Sequence, residues 1–251
     1  MSHYRLLCQQ EDSLGPIWVL EDDEYRVLAF AENDEQSKIS KKSPHIPAHS
    51  YVQAMLQVLL FSEPRSAIVL GLGGGALVHA LRRFDAAIKI TAVELREQVI
   101  TLAQRYFYLP IGKKVTLLNQ DAMQFLSEKS HKRVDIIFAD IYGAEGVDAK
   151  QLDPDFLNNC GGLLKDNGIL VLNCWREHSQ NEALYRQLKM LFPELYGCLT
   201  SGGNWIVFAA RRPGQLSLDG IKSRNAALSE RLDFQLGKTN IRFGVWDGPL
   251  T

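Results

Sequence analysis

Apolar and polar positions divide the chain into three regions. From Tyr4 to Phe30 the apolar residues come in short runs, Arg5-Leu6-Leu7-Cys8, Ile17-Trp18-Val19-Leu20 and Tyr25-Arg26-Val27-Leu28-Ala29-Phe30, set apart by acidic or Gly-Pro turns. Such runs predict a small antiparallel β unit. Residues 31–47 are polar, contain Pro44 and Pro47, and read as a linker or pocket edge. Tyr51 to Phe61 then repeats apolar residues at helical spacing, with Val52, Met55, Leu56, Leu59 and Leu60 on one face.

After Pro64 the pattern alternates strand and helix. Strands are predicted at 67–70, 88–93, 115–118, 134–139 and 168–173, and helices at 76–84, 97–108, 122–129, 152–164 and 181–192. Leu195 to Leu199 and Trp205 to Ala210, separated by a short Gly-containing loop, predict a hairpin. Apolar strands joined by helices imply a parallel sheet covered on both faces. With the closing hairpin, the expected fold is α/β: a Rossmann-like, seven-stranded methyltransferase-type sheet with a small N-terminal antiparallel β unit. The expected division is 1–47 for the β unit and linker, 48–215 for the main domain, and 216–251 for a C-terminal helix and tail. Within the last part, 219–236 reads as a helix and Arg242 to Pro249 as irregular.

Composition adds little: 46% hydrophobic and 23% charged residues are ordinary for a globular protein. The 28 basic and 29 acidic residues leave a formal charge of -1, which gives no global field for gripping a nucleic acid. Cys8, Cys160, Cys174 and Cys198 form no C-x-x-C pair, so neither a zinc cluster nor a disulfide framework is expected. No run of about 18 apolar residues and no leader-like N-terminus occurs, so a cytoplasmic protein without a membrane span is expected.

The chemistry gathers at strand ends. Gly71-Leu72-Gly73-Gly74-Gly75 follows the first strand of the alternating region, where glycines permit a sharp turn and close approach of the backbone to a ligand. Read with Ala76, the turn also fits the G-x-G-x-x-A dinucleotide pattern, so NAD is compatible with the turn taken alone. Glu94, 19 residues beyond Gly75, ends the next strand, where a carboxylate accepts hydrogen bonds from ribose hydroxyls. Asp121-Ala122 follows the third strand; the acid suits an adenine amino group or a helix cap, with Gln124 completing a capping-box spacing. Asp140 ends the fourth strand, at the carboxyl edge where open α/β sheets place their ligands.

Together with Gln36-Ser37, Tyr51 and Ser201-Gly202-Gly203-Asn204-Trp205, these motifs make residues 25–210 resemble the spermidine synthase family and its spermidine synthase-like relatives. The resemblance implies a nucleoside site formed by Gln36, Gly71, Gly73, Gly75, Glu94, Asp121 and Ala122. It implies decarboxylated S-adenosylmethionine, or S-adenosylmethionine, as co-substrate without a metal, a small-molecule amine as acceptor, and a homodimer. Asp140 matches the family's acidic catalytic position, and Tyr51 and Tyr142 are candidates to bind or orient the amine, or to pack.

The chain departs from the family on the amine side. The Asp that the family keeps inside its glycine turn is replaced by Gly74. The Ser or Thr, second Asp and Pro that follow the catalytic acid are replaced by Ile141-Tyr142-Gly143, and the late Tyr-Pro-Ser-Gly reads Leu199-Thr200-Ser201-Gly202. Glu145 and Asp148 are possible substitute acids. Three readings stay open: aminopropyl transfer, methyl transfer from intact S-adenosylmethionine, and nucleoside binding without catalysis. NAD-dependent dehydrogenation ranks below these, because it leaves Asp121-Ala122 and the hairpin unexplained.

Overall fold

The computed structural model describes residues 4–32, 34–128, 130–143, 146–147, 149–236 and 240–249. At the N-terminus β1 (Arg5–Asp12), β2 (Gly15–Glu21), β3 (Tyr25–Ala29) and β4 (Ser37–Ser40) form an antiparallel sheet in that order. The fourth strand replaces the linker half of the linker-or-pocket-edge expectation over residues 31–47. Ser37 and Ile39 are buried while Lys38 and Ser40 are not, a period-two pattern only four residues long inside a polar stretch.

Helix α1 (Ser50–Met55) runs into a 3-10 turn, Leu56–Leu60. Then follow β5 (Ser66–Leu70), α2 (Ala76–Phe84), β6 (Lys89–Glu94), α3 (Glu97–Tyr106), β7 (Val115–Asn119), α4 (Ala122–Ser127) and β8 (Val134–Ala139). A two-stranded ribbon, β9 (Tyr142–Gly143) and β10 (Gly146–Val147), leads to α5 (Pro154–Leu163) and β11 (Leu164–Trp175). The chain ends with α6 (Glu182–Leu191), β12 (Glu194–Thr200), β13 (Asn204–Ala210), α7 (Ile221–Leu232) and β14 (Asn240–Val245).

The main sheet has the order β14-β12-β13-β11-β8-β5-β6-β7. From β7 to β11 neighbours are parallel, and β13, β12 and β14 are antiparallel additions. Seven strands thus form the expected parallel sheet with its closing hairpin. The eighth, β14, corrects the irregular tail expected over 242–249. Trp246 anchors its end: its ring is 1% exposed and packs edge-on against Trp205 and Tyr185 at centroid distances of 5.9 and 5.3 Å.

Residues alternate between two apolar clusters along each central strand. In β5, Ala67 and Val69 join one cluster while Ile68 and Leu70 join the other, so both faces are dry. The small sheet is fastened to the large one by Arg96. Its guanidinium donates to Asp12 Oδ1 and Oδ2 at 2.8 and 2.9 Å and to the Gly15 carbonyl at 2.6 Å, a fork geometry suited to arginine. Because β5 has β6 on one side and β8 on the other, the connections diverge at its carboxyl end and open a crevice there.

Candidate active site

The crevice is a cavity of about 600 Å³, within the range of small-ligand sites. Gln36, Gly71, Gly73, Glu94, Asp121, Ala122, Asp140, Tyr51 and Tyr142 all line it. Gly75 is not among the lining residues. It holds a left-handed φ of 83° at the start of α2, and a Cβ there would fall 2.3 Å from Leu109 Cδ1, so this glycine serves the packing of the turn.

Gly71 brings the backbones of β5 and β8 together. Its φ is 88°, and an added Cβ would lie 2.1 Å from the Asp140 carbonyl oxygen. The turn is held to β6 by Glu94, whose Oε2 accepts the Leu72 N–H and whose Oε1 accepts the Arg96 N–H, each at 3.0 Å. Burial pushes the Glu94 pKa up against the pull of these donors. A carboxylate has about four lone-pair sites, so room is left for ribose hydroxyls. Asp121 caps α4, its Oδ1 accepting the Gln124 N–H at 3.0 Å, and its carboxylate also borders the cavity.

Asp140 is held by two side-chain donors. Its Oδ1 accepts Asn173 Nδ2 at 2.8 Å and its carboxylate also accepts a hydrogen bond from Tyr51. Burial outweighs both donors and lifts its pKa to about 6. Burial and the Asp140 charge also raise the pKa of Tyr51 and Tyr142, which keeps both phenols protonated as donors.

Behind Asp140 stands a polar network in which Asn173 and Gln151, which the sequence patterning did not single out, join Asn204 and Tyr142. Asn173 Oδ1 accepts Asn204 Nδ2 at 3.0 Å, which also donates to the Tyr142 hydroxyl at 3.2 Å. Gln151 donates to the Asn173 carbonyl at 2.6 Å and accepts the Ile141 N–H at 3.3 Å. Asn173 and Gln151 are 0% exposed, so nearly every polar atom in this layer has a fixed task. One signal was available: Asn173 closes the otherwise apolar run Ile169–Leu172.

A second cavity of about 400 Å³ adjoins the first, and Gln36, Tyr51 and Tyr142 line both. Its wall is aromatic. His49 stacks on Tyr51 at 5.5 Å, Tyr51 on Tyr142 at 6.5 Å, and Trp175 meets Tyr142 edge-on at 5.6 Å. Asp34 and Glu35 add negative charge. Burial lowers the His49 pKa, and its Nε2 is buried with no hydrogen-bond partner among the described residues. Glu145 and Asp148, the possible substitute acids, lie outside the described residues.

Residues 45–207 match the spermine/spermidine synthase domain. The chain belongs to that family. Among curated relatives, a polyamine aminopropyltransferase of Neisseria meningitidis serogroup A is 27% identical over 92% of this chain and 90% of its own length. One from Chromobacterium violaceum is 24% identical over 93% and 88%. A probable spermidine synthase of Corynebacterium glutamicum superposes with a TM-score of 0.76 at 14% identity, covering 98% of this chain and 96% of that one. A spermidine synthase in complex with the transition-state analogue AdoDATO gives 0.68 at 15% identity, with coverage of 91% and 88%. Human methyltransferase-like protein 13, in complex with SAH, gives 0.66 at 21% identity over 76% of this chain and 95% of that chain. These structural likenesses establish a shared fold. Among the described residues, no helix is long and apolar enough to cross a membrane.

The family's turn acid meets a physical obstacle in this member. A Cβ on Gly74 would lie 2.8 Å from Phe107 Cδ1 and 3.0 Å from Ser37 Oγ. Phe107 is fully buried, so the space an Asp would need is already filled.

Proposed function

We propose that this family member is a transferase of the aminopropyl type, using decarboxylated S-adenosylmethionine or a close analogue in the larger cavity and a small-molecule amine entering from the second. The observation that carries the reading is Asp140: half-buried at the topological switch point, with a pKa near 6, and bonded to Tyr51, which lines both cavities.

In the reaction the acceptor nitrogen attacks the propyl carbon attached to the sulfonium. The N–C bond forms as the C–S bond breaks, and sulfur leaves with the bonding pair as neutral methylthioadenosine. The proton released from nitrogen passes to the Asp140 carboxylate. A carboxylate of pKa near 6 is largely ionised at neutral pH and more basic than an ordinary Asp, which suits a general base. Asn173 and Tyr51 fix its orientation, and the rigid turn at Gly71 fixes the co-substrate against it, so placement supplies a large share of the acceleration. Glu94 is the expected partner of the ribose and Asp121 of the adenine. The aromatic wall of Tyr51, Tyr142 and Trp175 suits the cationic acceptor.

Gly74 favours a second reading, methyl transfer from intact S-adenosylmethionine, because the turn lacks the acid that would repel that molecule's carboxylate. Incubation with decarboxylated S-adenosylmethionine and a panel of amines tests the proposal. Release of methylthioadenosine supports it; no release with any amine, together with S-adenosylhomocysteine formation from the intact co-substrate, transfers the assignment to the second reading.

A further inference from the structure

The amino ends of the parallel strands, opposite the candidate active site, enclose a third concavity of about 940 Å³. Six basic side chains line it: Arg65 before β5, Lys89 at the start of β6, Lys114 before β7, Lys132 and Arg133 before β8, and Lys165 in β11. Two acidic side chains, Glu63 and Asp85, also line it, so six against two leaves a formal +4 on a chain whose total is -1. The acids offer little compensation. Glu63 pairs with Arg231 on α7, and Asp85 accepts the Ala87 backbone N–H. Lys165 is taken by Asp135 at 2.8 Å and Arg133 by the exposed Asp166 at 3.4 Å. Arg65, Lys89, Lys114 and Lys132 have no carboxylate partner among the described residues.

Four cations converging from four separate strand entries repel one another, and sequence-local charge runs do not account for the cluster, because the sheet order assembles it from distant positions. The hydroxyls of Thr91 and Thr116 add neutral donors to the same lining. We propose that this cleft binds a small polyphosphate anion. The feature is concave and confined to one end of the sheet, and the remainder of the molecule carries a compensating net negative charge. Those two properties suit a compact anion better than a nucleic-acid backbone, which would track an extended basic surface. The inference is independent of the reaction proposed above, since none of these residues lines either catalytic cavity.

The test is calorimetric titration of the full chain with inorganic tripolyphosphate at about 0.1 M salt, where surface fields beyond about 10 Å are screened. Saturable binding is expected, weakened at least about tenfold by Lys89→Glu with Lys114→Glu and within about twofold of wild type in a charge-matched control, Lys42→Glu with Lys222→Glu, outside the cleft. Lys132→Gln, in an exposed loop, is the milder variant should the double reversal impair folding, and a severalfold weakening is expected from it. Absence of saturable binding to the wild-type chain, or equal weakening in the control pair, overturns the proposal. Tighter binding of a 12-nucleotide RNA than of tripolyphosphate overturns the small-anion assignment in favour of nucleic acid.

Discussion

Asp140 answers two demands that oppose each other. The proposed role as general base wants it ionised and basic; burial makes the ionised form costly, and the compromise is a pKa of about 6. Asp140→Asn keeps the shape and removes the base, so turnover should fall by roughly 10²–10⁴-fold in single-turnover assays. For the wild type, kcat/KM should decline as the pH drops through about 6, because protonated Asp140 cannot accept the proton. The stability consequence has the opposite sense. A carboxyl whose folded pKa lies above its unfolded value favours folding at low pH, and that contribution is lost as pH rises from about 4 through about 6. Asp140→Asn should therefore be more stable than wild type at pH 7.5, by on the order of 2 kcal/mol, with the gap closing by pH 4, as read by urea denaturation. Gly74→Asp should not restore the family's turn acid. It should destabilise by roughly 1–3 kcal/mol, and Phe107→Leu in the same chain should recover part of that loss in thermal melts. Glu94, Asp121 and Asp140 were legible because alternation of strands and helices fixes where each strand ends. Asn173 and Gln151 were not, because their importance comes from contacts with Asp140, Ile141 and each other that no local pattern encodes.

At the level of elements, the central strands were readable because burial on both faces demands continuous apolar runs. The misread segments are short strands with weak apolar patterns. β4 offers four alternating residues, and β14 spreads its pattern over Asn240 to Val245 with Arg242 and Gly244 interrupting it. Its identity as a strand is decided by the edge of β12 that it covers, which is a tertiary fact. Trp246→Ala should consequently cost roughly 3–5 kcal/mol in denaturant unfolding, as loss of a buried aromatic does, and an irregular surface tail would cost almost nothing. Arg96→Ala should loosen the small sheet from the large one, since it strands Asp12 beside the Gly15 carbonyl. A loss of roughly 2–3 kcal/mol and faster hydrogen exchange across β1 and β2 are expected.

Across the whole molecule, the near-zero net charge conceals a polarity along the strand direction. Glu94, Asp121 and Asp140 gather at the carboxyl ends, where a sulfonium and an amine would need negative surroundings, and the unpaired cations gather at the amino ends. Two cavities share Tyr51, Tyr142 and Gln36 as a common wall, and Asp140 lines the larger one and is hydrogen-bonded to the shared Tyr51. Which bond to sulfur is broken separates aminopropyl from methyl transfer. The direct measurement offers the protein equal amounts of decarboxylated and intact S-adenosylmethionine with an amine panel and identifies both products by mass spectrometry. Methylthioadenosine together with an aminopropylated amine is predicted; S-adenosylhomocysteine together with a methylated acceptor would contradict the account.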